Sequence, residues 1–120
     1  MEFVREDKNG VGYVIVESAE KVITDTESAL DLLVNANYTA GTKNIVISKK
    51  LVAENFFILS TGLAGEILQK FVDYGGRIAI YGDWSRYTSK PLKDFMYESN
   101  KGRDVFFAGT LDEAVEMLTR

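Results

Sequence analysis

At 120 residues with a net charge of −4, the chain has the length of one domain and a negative balance that argues against general phosphate-backbone binding. It contains no cysteine and no histidine, which excludes disulfides, zinc–thiolate sites and thiol chemistry, along with the commonest general base. Any chemistry would fall to carboxylates, lysine, hydroxyls or a cofactor, and no motif calls for a metal or a cofactor.

The opening MEFVREDKNG lacks the basic start and apolar centre of a signal peptide. No apolar run has the length of a membrane span, so a cytoplasmic protein that binds neither membrane nor nucleic acid is the expectation. Residues 1–6 read as a strand, Asn9-Gly10 as a tight hairpin turn and residues 12–17 as the returning strand. Thr24 and Glu27 have capping-box spacing, ahead of a helix with Ala29, Leu30, Leu33 and Val34 on its apolar face. Asn44 to Ser48 is a short apolar strand of the doubly buried kind. Residues 49–59 form a long connection, in which the aromatics of Glu54-Asn55-Phe56-Phe57 are expected to plug the sheet edge.

The next helix is predicted over about 61–74, with Leu63, Ile67, Phe71 and Tyr74 on one face and Gly75-Gly76 ending it. Arg77 to Tyr81 is the fourth strand. The polar stretch GDWSRYTSK follows, and the chain's single proline, Pro91, suits the first turn of a third helix bearing Leu92, Phe95, Met96 and Ser99. Asp104 to Ala108 is the fifth strand. Thr110 and Glu113 form a second capping box before a last helix with Leu111, Ala114, Val115 and Leu118. The order ββαβαβαβα predicts one α/β domain over 1–120, with a mixed five-stranded sheet and four helices. Crossovers of one hand would gather the loops 49–60, 82–90 and 109–110 along one sheet edge, at the carboxyl ends of the strands.

Ser60, Thr61 and Gly62 stand where the second helix should begin, beside its unpaired amides and partial positive charge. A hydroxyl there can cap the helix, help hold an anion or accept a phosphoryl group. The second candidate is the loop after the fourth strand. Asp83, Ser85, Ser89 and Lys90 supply polar groups there, and Trp84 and Tyr87 supply aromatic surface. Its ordinary reading is a turn closed by Asp83 and a helix capped by Ser89.

NIVIS, then STGLAGEILQKFVDYGGRIAIYG, resembles the middle of a STAS domain, the module of bacterial anti-sigma factor antagonists. ENFFILSTGLAGEILQKF with GDWSRYTSKPLKDFMYESNKGRDVFF resembles a family of small bacterial proteins, a STAS-like domain of unknown function, which implies no activity. The STAS resemblance implies a regulatory module that binds a kinase-like protein partner and is switched by phosphorylation at Thr61, with Ser60 beside it. Leu59 stands where that signature usually has an aspartate, and the loop before it is longer. The leading reading is therefore a regulatory protein-interaction module using Thr61, Ser60, Gly62 and the 82–90 loop. The alternative is a sensor of an anionic metabolite or nucleotide, held at the same edge with help from Lys90. An enzyme ranks last, and a homodimer through the edge of the first hairpin is a further expectation.

Overall fold

The fold is taken from a computed structural model that describes residues 1–120. β1 (Glu2–Lys8) and β2 (Val11–Glu17) pair antiparallel. The turn between them places Asn9 at φ 53° and Gly10 at φ 78°. These left-handed conformations suit Asn and Gly and match the twist of the flanking strands. β3 (Asn44–Ser48), β4 (Arg77–Tyr81) and β5 (Val105–Ala108) then add in parallel, giving a mixed five-stranded sheet in the order β1-β2-β3-β4-β5. With α1 (Thr26–Ala40), α2 (Leu63–Asp73), α3 (Lys90–Asn100) and α4 (Leu111–Thr119), this is the predicted ββαβαβαβα fold. No helix is long and apolar enough to cross a membrane.

Spatial order follows chain order, so every crossover steps the same way across the sheet. Crossovers of common hand must then lay their helices on one face. The larger core joins Ala29 and Leu32 of α1, Ile67 and Phe71 of α2 and Leu92 and Met96 of α3 to Val14, Val16, Ile45, Ile47, Ile78 and Ile80 of the strands. The alternate strand residues Tyr13, Val46, Ala79 and Phe106 face the other way, onto α4. The strand order never reverses, so the sheet has no crevice of the kind that doubly wound folds open at a switch point.

Several local details depart from the sequence reading. The cap of α1 is Asp25, one residue later than Thr24. Its Oδ1 accepts the Ser28 amide at 2.7 Å, and Ser28 Oγ accepts the Asp25 amide in return. Thr24 Oγ1 lies 3.3 Å from Ser28 Oγ and serves no helix amide, and Ser28 replaces Glu27 as the reciprocal partner. α1 buries Ala29, Leu32, Leu33 and Ala36, while Leu30 is half-buried and Val34 is 62% exposed. The helix is thus rotated so that part of its apolar stripe faces outward. α2 begins at Leu63 and ends at Asp73, leaving Tyr74 outside its buried face. Gly76 is held by packing, since a Cβ there would lie 2.9 Å from Leu33 Cδ1.

Candidate functional site

The β3-to-α2 connection holds three single 3-10 turns, Lys49–Leu51, Glu54–Phe57 and Leu59–Thr61. Phe56 and Phe57 are buried from the second turn. A parallel bridge between Ile23 and Val52 pins the connection, and Lys21 Nζ donates to Lys50 O at 3.0 Å. Gly62, at φ 75°, occupies the N-cap of α2 and has no side chain to serve it. Thr61 supplies the cap instead. Its Oγ1 accepts the Leu63 amide at 3.2 Å and lies 2.9 Å from both Asn55 O and Ile58 O, donating its one proton between them. Ser60, also exposed, carries none of these ties. The two hydroxyls that looked alike in the sequence are therefore different groups, one built into the backbone turn and one facing solvent.

The 82–90 loop meets this connection through its aromatics. Trp84 donates Nε1–H to Ala108 O at 2.7 Å, which ties the loop to the end of β5. Its ring lies 5.5 Å from Phe57, 5.6 Å from Tyr87 and 5.7 Å from Phe107, all at tilted or edge-on angles. Tyr87 donates its hydroxyl to the Glu54 carboxylate at 3.1 Å. Partial burial, and then this hydrogen bond, push the Tyr87 hydroxyl above the usual tyrosine range. Lys49 Nζ sits 4.7 Å from the Tyr87 ring centroid, within cation–π reach. Its stem crosses Gly82, where a Cβ would fall 2.5 Å from Lys49 Cγ. Glycine at 82 is thus what lets the lysine lie over the ring.

The remaining predicted loop residues turn to local work. Asp83 accepts the Ser85 amide at 2.9 Å. That amide first, and the Ser85 hydroxyl second, hold the Asp83 carboxyl below the usual aspartate range, with smaller help from Lys49 and Arg86. Ser89 caps α3 by accepting the Leu92 amide at 3.4 Å, and Lys90 pairs with Asp94 at 2.7 Å. The edge that forms is Lys49, Glu54, Phe57, Trp84 and Tyr87, with Ser60, Thr61 and Gly62 following on the same connection. Sequence reasoning missed Lys49 and left Glu54 without a partner. The missing signal is register: Ser48 pairs with Tyr81, so the residues that follow, Lys49 and Gly82, leave the sheet side by side.

Where β2 and β3 end, Glu17, Ser18, Glu20, Lys21, Ser48 and Lys50 border a wide-mouthed hollow of about 740 Å³. Lys21 is spent on backbone carbonyls there, and two carboxylates share the rim. No curated protein and no solved structure matches the chain. The family described as a domain of unknown function, DUF4180, matches residues 8–118, nearly the whole of the fold described above, and the chain belongs to that family.

Proposed function

We infer that the protein is a regulatory protein-interaction module that docks its partner on the carboxyl-end edge of the sheet. One observation carries the reading: that edge is filled and furnished. Phe57, Trp84, Tyr87 and Phe107 close the space over the strand ends, and Lys49 and Glu54 are fixed on top of them. Ile58, which follows Phe57 and precedes Ser60 by two residues, is 54% exposed. The partly exposed rings of Trp84 and Tyr87, backed by buried Phe57 and Phe107, with one cation, one carboxylate and an exposed aliphatic side chain suit the centre of a protein interface.

The resemblance of Ser60-Thr61-Gly62-Leu63 to the STAS signature supports a phosphorylation switch at the same place. The geometry favours Ser60 as acceptor. A phosphoryl group on Thr61 would set a dianion against two carbonyl oxygens now 2.9 Å away and would cost the helix its cap. On Ser60 it would add charge to the docking surface without undoing the turn.

The test is quantitative affinity capture from the native host with the unmodified protein, Ile58→Asp and Ser60→Glu, alongside intact-mass and peptide mapping of the recovered chain. The reading expects one protein retained by the unmodified chain, lost with Ile58→Asp and weakened with Ser60→Glu. Equal recovery of every protein by all three forms would remove it. A second reading, a sensor of a small anionic ligand, draws on the hollow at the ends of β2 and β3. A thermal-shift screen of nucleotides and phosphorylated metabolites tests it, since a saturating ligand raises the melting temperature.

A further inference from the structure

Three of the seven exposed large apolar side chains gather at one place, while Met1, Ile58, Val72 and Tyr97 lie outside it. Val34 is 62% exposed, Tyr38 91% and Tyr74 54%, and all three border one groove of about 290 Å³. Leu30 and Leu33 form its floor, and Lys43 stands at its rim. The groove lies between the C-terminal half of α1 and the turn after α2, at the amino ends of β3 and β4. This is the end of the molecule opposite the proposed docking edge.

We propose that this groove is the self-association surface of the protein, and that its occupant is the same groove of a second copy, α1 packed antiparallel on α1 about a two-fold axis near Val34. The charges on α1 identify the occupant. Glu27, Asp31, Val34 and Tyr38 recur at three- and four-residue spacing, so they share one stripe of the helix. That stripe is acidic in its first half, apolar in its second, and followed by Lys43. Turned end for end on its own copy, it sets acid against base twice, because a two-fold axis repeats every contact. Glu27 lies seven residues before Val34, about 10 Å along the helix, and so comes over position 41 of the other copy, two residues before Lys43.

None of these charges is satisfied by an opposite charge within the chain. The intramolecular ion pairs are Arg5–Asp7, Lys8–Glu116, Lys90–Asp94 and Glu98–Lys101. Lys43 Nζ reaches a carbonyl, Tyr74 O, at 3.0 Å. An unrelated partner would have to bring an apolar ridge with acid at one end and base at the other, and a second copy already carries that pattern. The exposed edge of the sheet is the weaker candidate. β1 presents Glu2, Arg5, Glu6, Asp7 and Lys8, and charges along an edge oppose strand addition. The Arg5 guanidinium is also turned inward, onto Ala40 O.

Sedimentation velocity from micromolar to millimolar concentration tests the proposal on the full chain. The expected result is a species of twice the 13.4 kDa chain mass that dissociates on dilution. Val34→Asp and Tyr38→Asp alter exposed positions, so they should keep the far-ultraviolet spectrum and leave only monomer. Lys43→Glu should weaken the dimer about tenfold, and Glu27→Lys in the same chain should restore it. A chain monomeric at every concentration overturns the proposal, as does a dimer that survives Tyr38→Asp or one that the charge exchange fails to restore. Protection of Tyr38 that appears only when another protein is added would give the groove to that protein and overturn it equally. The docking edge is untouched by these substitutions, so partner capture can succeed or fail independently.

Discussion

The two ends of the parallel strands are built differently. At the carboxyl ends of β3 and β4 the connections are long and tie one another down: residues 49–62 carry three 3-10 turns, and the 82–89 loop is held to them by Tyr87–Glu54 and Trp84–Phe57. At the amino ends the helix-to-strand turns are short, Gly41 to Lys43 and Tyr74 to Gly76, with Gly41 and Gly75 in left-handed conformations that reverse the chain at once. These short turns bring only Lys43 and Tyr74 to the side of α1. The apolar side chains of α1 that miss its own core, Val34 and Tyr38, therefore stay bare. Loop length thus decides which end of this fold is covered by its own side chains and which keeps apolar side chains exposed.

Substitution should expose the contrast most strongly in the packed aromatics. Phe57→Ala, at a side chain 4% exposed, is expected to cost about 3–5 kcal/mol in urea denaturation. Tyr38→Ala, 91% exposed, should change monomer stability by less than about 0.5 kcal/mol when measured at high dilution. Similar costs at the two positions would break the comparison. Beneath the groove the packing is tight, so Gly76→Ala, pressing on Leu33 and Phe71, should cost about 1–3 kcal/mol. A cost near zero would mean that the amino end is loosely packed and not merely uncovered. Thr61→Ala should lower stability by about 1 kcal/mol through the lost cap, while Ser60→Ala should leave it unchanged in the same assay.

The smallest effect is the response to acid. Asp25 is held below the usual aspartate range by the Ser28 amide first and the Ser28 hydroxyl second, and Asp83 likewise by Ser85. A carboxyl with a depressed folded-state pKa contributes stability above its unfolded value, near 3.9, and loses it as pH falls through the folded value. The stability these two carboxyls supply should therefore be constant from neutral pH down to about 5 and be lost progressively below that. Asp25→Asn, which can still cap, should make the fall shallower. Urea midpoints at neutral pH and near pH 3 would show it, and a variant as acid-sensitive as the parent would refute the assignment to Asp25.

Much of the fold was legible because its signals are local. Asn9-Gly10 needs two left-handed residues, Pro91 suits a first helical turn, and Thr110 accepts the Glu113 amide at 3.1 Å, as their spacing implies. Less legible were choices between adjacent residues. Thr24 and Asp25 can both cap, and the extended backbone of Asp25 decided between them. Val34 and Leu32 are both apolar, and the rotation of α1 about its own axis buried only Leu32. The candidate edge divides the same way. Ser60, Thr61 and the 82–90 loop were visible from composition, but Lys49 crossing Gly82 and Glu54 meeting Tyr87 join residues 33 apart in the chain.

The sequence by itself determined the element order, the parallel character of the sheet and the α/β class, because hydrophobic period, capping residues and turn residues act within a few positions of one another. The tertiary structure decided which hydroxyl of the Ser60–Thr61 pair is free, how the strand ends are closed and which apolar side chains of α1 remain uncovered. Those outcomes depend on strand register and on how the helices seat against the sheet, and both are set by contacts between segments that lie far apart along the chain.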